Sequence, residues 1–140
     1  MGGFTIIAYL ISQDEYYREG FKKLLEITIP KLTIKAFAEI PAKIQSDVAL
    51  VIIEPVFEEK RNRNIEDIEH LANSYHARTC LLLDSPNNDK LLQLLNNKVY
   101  GVFFKSDYTF DLVEGLKEVL KGERYIPGSV AKILLEVYQQ

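Results

Sequence analysis

The sequence predicts an α/β fold: a doubly wound, five-stranded parallel sheet with helices on both faces and one additional helix at its C-terminal end. Three observations predict it. Short apolar runs alternate with segments of helical spacing, and parallel neighbours need such crossovers, which are right-handed. The stretch Ala49-Leu-Val-Ile-Ile-Glu54-Pro55 is apolar until a single acid ends it, as a strand buried on both faces requires. The 140 residues, 47% of them hydrophobic, suffice for one ordinary core and not for two. Sites in open α/β sheets form beyond the carboxyl ends of the strands, so Glu54 stands where function is to be sought.

Each element follows from local pattern. Residues 4–11 are apolar and β-branched and run into Ser12-Gln13-Asp14, side chains that favour turns and caps; this is the first strand. From Asp14 the apolar residues Tyr17, Phe21, Leu24 and Leu25 recur at helical spacing, with Lys22, Lys23 and Glu26 opposite, which predicts a helix over 14–27. Gly20 inside it costs about 1 kcal/mol relative to Ala and points to close packing against a neighbour. After Pro30, residues 32–37 alternate and suit an edge strand. Residues 38–45, interrupted by Pro41, read as a short, irregular helix before the central strand.

A polar, charged loop over 56–64 precedes a third helix at 65–76, with Ile65, Ile68, Ala72 and Tyr75 at helical spacing. Residues 79–83 form the fourth strand, and Asp84-Ser-Pro-Asn-Asn-Asp89 is a turn capping the leucine-rich segment 90–95. Residues 101–104 are the fifth strand. A helix over 110–120 carries Leu112, Val113, Leu116, Val119 and Leu120 on one face and is stopped by Gly122. The last helix, 128–138, has an apolar stripe of Val130, Ile133, Leu134 and Val137. Ala131, Leu135 and Tyr138 widen that stripe beyond what one supporting surface covers, so something besides the core is expected to pack there.

Composition excludes several functions. A net charge of −3 gives no basic face for nucleic acid, so any DNA must be read by another module. The single cysteine, Cys80, excludes an internal disulfide, fits a reducing cytoplasm and reads as a buried strand thiol. No run approaches the roughly 18 apolar residues of a membrane span, and Met1-Gly2-Gly3 does not begin a signal peptide. The expected setting is soluble and cytoplasmic, with no membrane partner. His70 and His76 with Glu66 and Glu69 do not share a helical face in a metal-binding arrangement. The mixed charges of residues 58–63 read as a solvated loop. Ser12, Ser85, Cys80 and the histidines form no nucleophile and base pair, so no enzyme activity and no catalytic residue are expected.

Three strings carry a resemblance. Tyr16-Tyr-Arg-Glu-Gly-Phe-Lys-Lys-Leu-Leu25, Gly101-Val-Phe-Phe-Lys105 and Gly122-Glu-Arg-Tyr-Ile-Pro-Gly-Ser-Val-Ala-Lys-Ile-Leu-Leu135 resemble the receiver domain of a LuxR/FixJ-type bacterial response regulator and its connection to a helix-turn-helix domain. Leu81-Leu-Leu-Asp-Ser-Pro, with the strings at 101 and 122, is most similar to the atypical biofilm regulators of the curli and Vibrio polysaccharide type. The resemblance implies a flavodoxin-like strand order 2-1-3-4-5 and a receiver-like domain over 1–124. It makes residues 125–140 a sixth helix that dimerises or links to a DNA-binding domain absent from this chain. Because the chain ends at Gln140, where such a module would begin, a fragment of a longer regulator is expected.

A working receiver transfers phosphoryl to its own aspartate. Two acids after strand one and the aspartate after strand three hold Mg²⁺; a hydroxyl after strand four and a lysine after strand five bind the phosphoryl oxygens; an aromatic in strand five switches rotamer. Alignment on Arg18-Glu19-Gly20 puts Ser12 and Gln13 at the acid pair, with Asp14 and Glu15 entering the helix and pointing elsewhere. Mg²⁺ binding is therefore expected to be weak or absent, with no other cofactor. Glu54 takes the phosphoacceptor position with one more methylene and can imitate the activated state. Lys105 is retained, so an ion pair with Glu54 is expected. The hydroxyl position falls on Asp84 or Ser85, and the switch position on Val102.

These departures imply a degenerate receiver that does not use phosphate. Some of the resembled regulators bind a cyclic dinucleotide through a tryptophan-containing motif on the sixth helix. This chain has no Trp, and Ile126-Pro-Gly-Ser129 offers no stacking residue with an arginine partner, which argues against that ligand. Tyr125, Tyr138, Phe103 and Phe104 read as core. The resemblance thus implies a regulatory domain of a transcriptional response regulator, acting as a homodimer or by docking a helix-turn-helix domain through Val130, Ile133, Leu134, Leu135, Val137 and Tyr138. The alternatives are a phosphoacceptor receiver in a two-component phosphorelay and an adaptor or small-molecule sensor using the strand-end crevice.

Overall fold

Runs of Val, Ile and Leu too short for helices form five strands of six residues each in the computed structural model, which describes residues 5–55, 63–74, 76–84 and 99–138. These are β1 (Ile6–Ile11), β2 (Leu32–Phe37), β3 (Val48–Ile53), β4 (Arg78–Leu83) and β5 (Val99–Phe104). They pair in parallel in the order β2-β1-β3-β4-β5. Four helices are described: α1 (Glu15–Thr28), α2 (Arg63–Ser74), α3 (Thr109–Leu120) and α4 (Gly128–Tyr138). Among the described residues no helix is long and apolar enough to cross a membrane.

Alternation along the strands divides the core in two. Leu50, Ile52, Leu82 and Phe103 pack with Phe21 and Leu25 of α1 and Leu112, Leu116 and Val119 of α3. Val51, Ile53, Leu81 and Val102 face the other way, towards Ile68 and Leu71 of α2 and Val130 of α4. The register slips at Ala49 in β3 and at Tyr100 in β5. An extra residue in a strand turns one side chain out of step, which is why Val99 and Val102 share a face. The Tyr100 ring instead lies between the guanidinium groups of Arg78 and Arg124, 5.5 and 4.9 Å from its centre.

Each sheet edge carries one local partner. At β2 the Ile34 amide donates to the Glu26 carboxylate of α1 at 3.0 Å, satisfying one backbone donor of that edge strand. At β5 the segment after α3 makes a one-residue parallel bridge: Tyr125 N donates to Tyr100 O at 2.8 Å and Val102 N to Tyr125 O at 3.0 Å. The chain thereby crosses the β5 edge from the α3 face to the α4 face. Tyr125 stacks on Phe103 with ring centres 5.1 Å apart, and a Cβ on Gly115 would lie 2.6 Å from Phe103 Cε1. Glycine at 115 is therefore what lets α3 approach. Gly122, with φ of 96°, ends α3 in the left-handed conformation that favours glycine.

Some expectations need correction. Residues 38–45 contain no helix; the run is a sequence of bends in which Ile44 is buried. Pro41 holds the preceding residue extended, and too few residues remain for a helical turn to propagate. Gly20 is not packed against a neighbour: it is exposed, and a Cβ there would meet nothing within 4 Å. The third predicted helix, α2, begins and ends two residues earlier than its periodicity suggests. The leucine-rich segment 90–95 and Ser85 lie outside the described residues, as do the side chains of Ile133, Leu134, Val137 and Tyr138.

Candidate functional site

The parallel register brings the carboxyl ends of β1, β3 and β5 to one rim. Ile11 is level with Ile53, and Leu83 with Phe104, so the residues that follow converge. Backbone bonds fix them there: Ser12 N donates to Phe37 O at 3.0 Å, Glu54 N to Ile11 O at 2.9 Å and Lys105 N to Leu83 O at 2.8 Å.

Glu54 is engaged through both carboxylate oxygens. Oε1 accepts the Ser12 hydroxyl at 2.6 Å, and Oε2 lies 2.5 Å from the Lys105 ammonium. Their side chains are 13% and 17% exposed, so this pair is screened far less than a surface ion pair. Asp84 Oδ1 and Asp14 Oδ2 also approach Lys105 Nζ, at 3.7 and 3.8 Å. The Tyr17 ring closes the remaining side, its centre 4.5 Å from the ammonium, a cation–π contact. Burial, followed by the negative charges of Glu54, Asp107, Asp84 and Asp14, pushes the Tyr17 hydroxyl up to about 12.

Ser12 is a hub of this arrangement and is 1% exposed. Its hydroxyl accepts the Asp14 amide at 3.2 Å, and its carbonyl accepts Arg18 Nη1 at 2.7 Å. Asp14 was expected to point away from the crevice, and half of it does: Oδ1 caps α1 by accepting the Tyr17 amide at 3.1 Å. The other oxygen faces Lys105, because an N-cap side chain spends only one lone pair on the helix. Gln13 turns outward instead, donating to Glu39 Oε1 at 3.2 Å.

The remaining residues fall outside the cluster. Val102 is fully buried in the core, and its amide is tied to Tyr125 O at 3.0 Å. Val130, expected on an interface, is also fully buried in the chain's own core, whereas Leu135 is 61% exposed. Position 130 turns inward because the first turn of α4 has to close over β5 once the chain has crossed the sheet edge. Cys80 is buried, and burial raises its thiol pKa.

Of the two positions that the resemblance gives to a Mg²⁺-holding acid pair, Ser12 spends its hydroxyl on Glu54 and Gln13 faces away, and the oxygens of Glu54 are taken by that hydroxyl and an ammonium. Among the described residues no group of three His, Cys, Asp or Glu is arranged to hold a metal ion. A hard cation needs several open oxygens at short range, and here a lysine occupies the centre of the acidic ring.

No family model and no curated protein matches the sequence. Solved structures do. RcsB of Salmonella typhimurium superposes with a TM-score of 0.78 at 18% identity, over 97% of this chain and 68% of that one. The response regulator ChrA of a heme-sensing two-component system gives 0.72 at 18%, over 97% and 67%. A LuxR-family two-component response regulator from Aurantimonas gives 0.75 at 18%, over 97% of this chain and 99% of that one. A receiver protein from Pseudoalteromonas atlantica gives 0.68 at 23%, over 83% and 98%. The fold of this chain is that of the response-regulator receiver domain, with LuxR-type regulators among its structural neighbours.

Proposed function

We propose that this chain is a regulatory domain of the receiver type that works without phosphoryl transfer. The observation that carries the proposal is the engagement of both Glu54 oxygens, one by the Ser12 hydroxyl and one by the Lys105 ammonium. An acid so occupied is a poor nucleophile towards a phosphodonor, and Ser12 and Gln13 offer no carboxylates to the cation that such a transfer uses. The lysine already holds the anionic partner that a phosphorylated receiver would have to acquire. This arrangement favours one state of the domain over the switching that phosphorylation would drive.

Output then depends on what the domain contacts. The exposed Leu135 on α4 suits the docking of an attached or separate module, and a helix-turn-helix domain is the partner that the similarity to LuxR-type regulators favours. RcsB, one of those neighbours, has been solved bound to DNA. Pairing of two copies would set the spacing of two such modules on a palindromic site.

The test is intact-mass spectrometry after incubation with Mg²⁺ and a small phosphodonor, with light scattering on the same sample. An unmodified mass and an unchanged assembly state are expected. A phosphoryl adduct accompanied by a change in assembly would establish an ordinary phosphoacceptor receiver instead.

A further inference from the structure

A cavity of about 180 Å³ lies at the amino end of the sheet, away from the Glu54 rim, where the chain enters β3 and β4. Two segments build it. In the bends before β3, Ile44 is buried in the core, which leaves Lys43 and Gln45 exposed on either side of it. Val48 N donates to Gln45 O at 3.2 Å, closing a turn that contains Ser46. From the other side, the register that sets Leu50 beside Arg78 brings His76 and Ala77 alongside the start of β3.

The lining divides by chemistry. Ile44, Val48 and Ala77 are buried and make an apolar floor, whereas Lys43, Gln45, Ser46 and His76 stand exposed around the mouth. Among the described residues none of these four side chains makes a hydrogen bond or ion pair, and none that line the cavity is an acid. Convergent polar groups over an apolar floor are what a small-molecule site requires.

That lining selects its ligand. Lys43 brings one full positive charge, which favours an anion and opposes a cation. The Ser46 hydroxyl, the Gln45 amide and a ring N–H of His76 add donors that suit the two oxygens of a carboxylate. A phosphate monoester would carry a second negative charge with no counterpart, and an inorganic anion would leave the apolar floor in contact with water. The space suits roughly six to nine non-hydrogen atoms, since a cavity of about 150 Å³ accommodates benzene.

We propose that this cavity binds a small monocarboxylate with a compact apolar body, its carboxylate at Lys43 and its body against Ile44, Val48 and Ala77. The bound acid ties the turn before β3 to the start of β4. The site is separate from the strand-end crevice and independent of the chemistry at Glu54.

Benzoate titrated into the full chain and followed by two-dimensional amide NMR tests the proposal. Saturable shifts are expected at the amides of residues 43–48 and 76–78, with a Kd of about 1 mM or tighter for a ligand of this size. Lys43→Met keeps the methylene stem, removes the charge and raises the benzoate Kd about fivefold. Benzyl alcohol, the uncharged counterpart, binds both proteins equally and more weakly than benzoate binds the parent. Ser46→Glu sets a like charge at the mouth and weakens benzoate further. Both positions are exposed, and unchanged amide positions elsewhere report an intact fold. Shifts that do not saturate overturn the proposal, as do saturable shifts at the Glu54 rim with none here. So does a benzoate affinity indifferent to Lys43→Met and Ser46→Glu, or binding of benzyl alcohol or inorganic phosphate as tight as that of benzoate.

Discussion

The Ser12 hydroxyl donates to Glu54 at 2.6 Å while accepting the Asp14 amide at 3.2 Å, so one buried serine ties the start of α1 to the acid that follows β3. Ser12→Ala removes both bonds and is expected to cost about 1–2 kcal/mol in urea unfolding. Lys105→Met leaves the Glu54 carboxylate without its counter-charge and is expected to cost about 2–3 kcal/mol, tempered by the residual exposure of the pair. Adding Glu54→Gln to Lys105→Met should recover at least half of that loss. A double variant no more stable than Lys105→Met would show that the ion pair is not what the lysine contributes.

Restoring acids should restore cation binding. Ser12→Asp, Gln13→Asp and Glu54→Asp together supply the carboxylates that a hard cation requires, and the shorter side chain at 54 withdraws from Lys105. Calorimetry is expected to detect Mg²⁺ binding in the triple variant and not in the parent. Equal binding by both would place the cation elsewhere.

Alkaline pH should weaken the fold through Tyr17. Its hydroxyl rises from 10 in the unfolded chain to about 12 in the cluster, chiefly through burial and then through the surrounding carboxylates. The folded state thus favours the protonated phenol. The stability it contributes is complete below pH 10 and lost as pH rises through about 12. Tyr17→Phe is expected to flatten the fall in unfolding free energy across that window. An identical fall in both proteins would remove Tyr17 from the alkaline transition.

Two glycines make a contrast. Gly115→Ala pushes a methyl group to 2.6 Å from Phe103 Cε1 and is expected to destabilise by about 1–2 kcal/mol. Gly20→Ala meets nothing within 4 Å and is expected to stabilise the fold by about 0.5–1 kcal/mol. Thermal unfolding of the two variants should therefore shift in opposite directions.

The strands were readable because apolar runs of Val, Ile and Leu between turn residues have few alternatives, and a parallel register then makes Glu54 and Lys105 neighbours. Residues 38–45 misled because Ile40 and Ile44 anchor a loop with the same apolar content that a short helix would show. Tyr17 carries no sequence signal for the cluster: its spacing with Phe21 and Leu25 speaks for core, and its ring does pack on Phe21, 5.4 Å away, while its other side covers Lys105. Asp14 announced only its capping role. Val130 could not be assigned a direction from a stripe broad enough to face two ways.

The bridge at Tyr125 has a dynamic consequence. Leaving the β5 edge would break its two hydrogen bonds and its stacking on Phe103, so α4 cannot swing away as a free arm while the sheet stays closed. The amide of Val102, bonded to Tyr125 O at 3.0 Å, can exchange with solvent only when that seam parts. Its exchange rate is a clock for undocking of the C-terminal helix, readable one residue at a time and without any label.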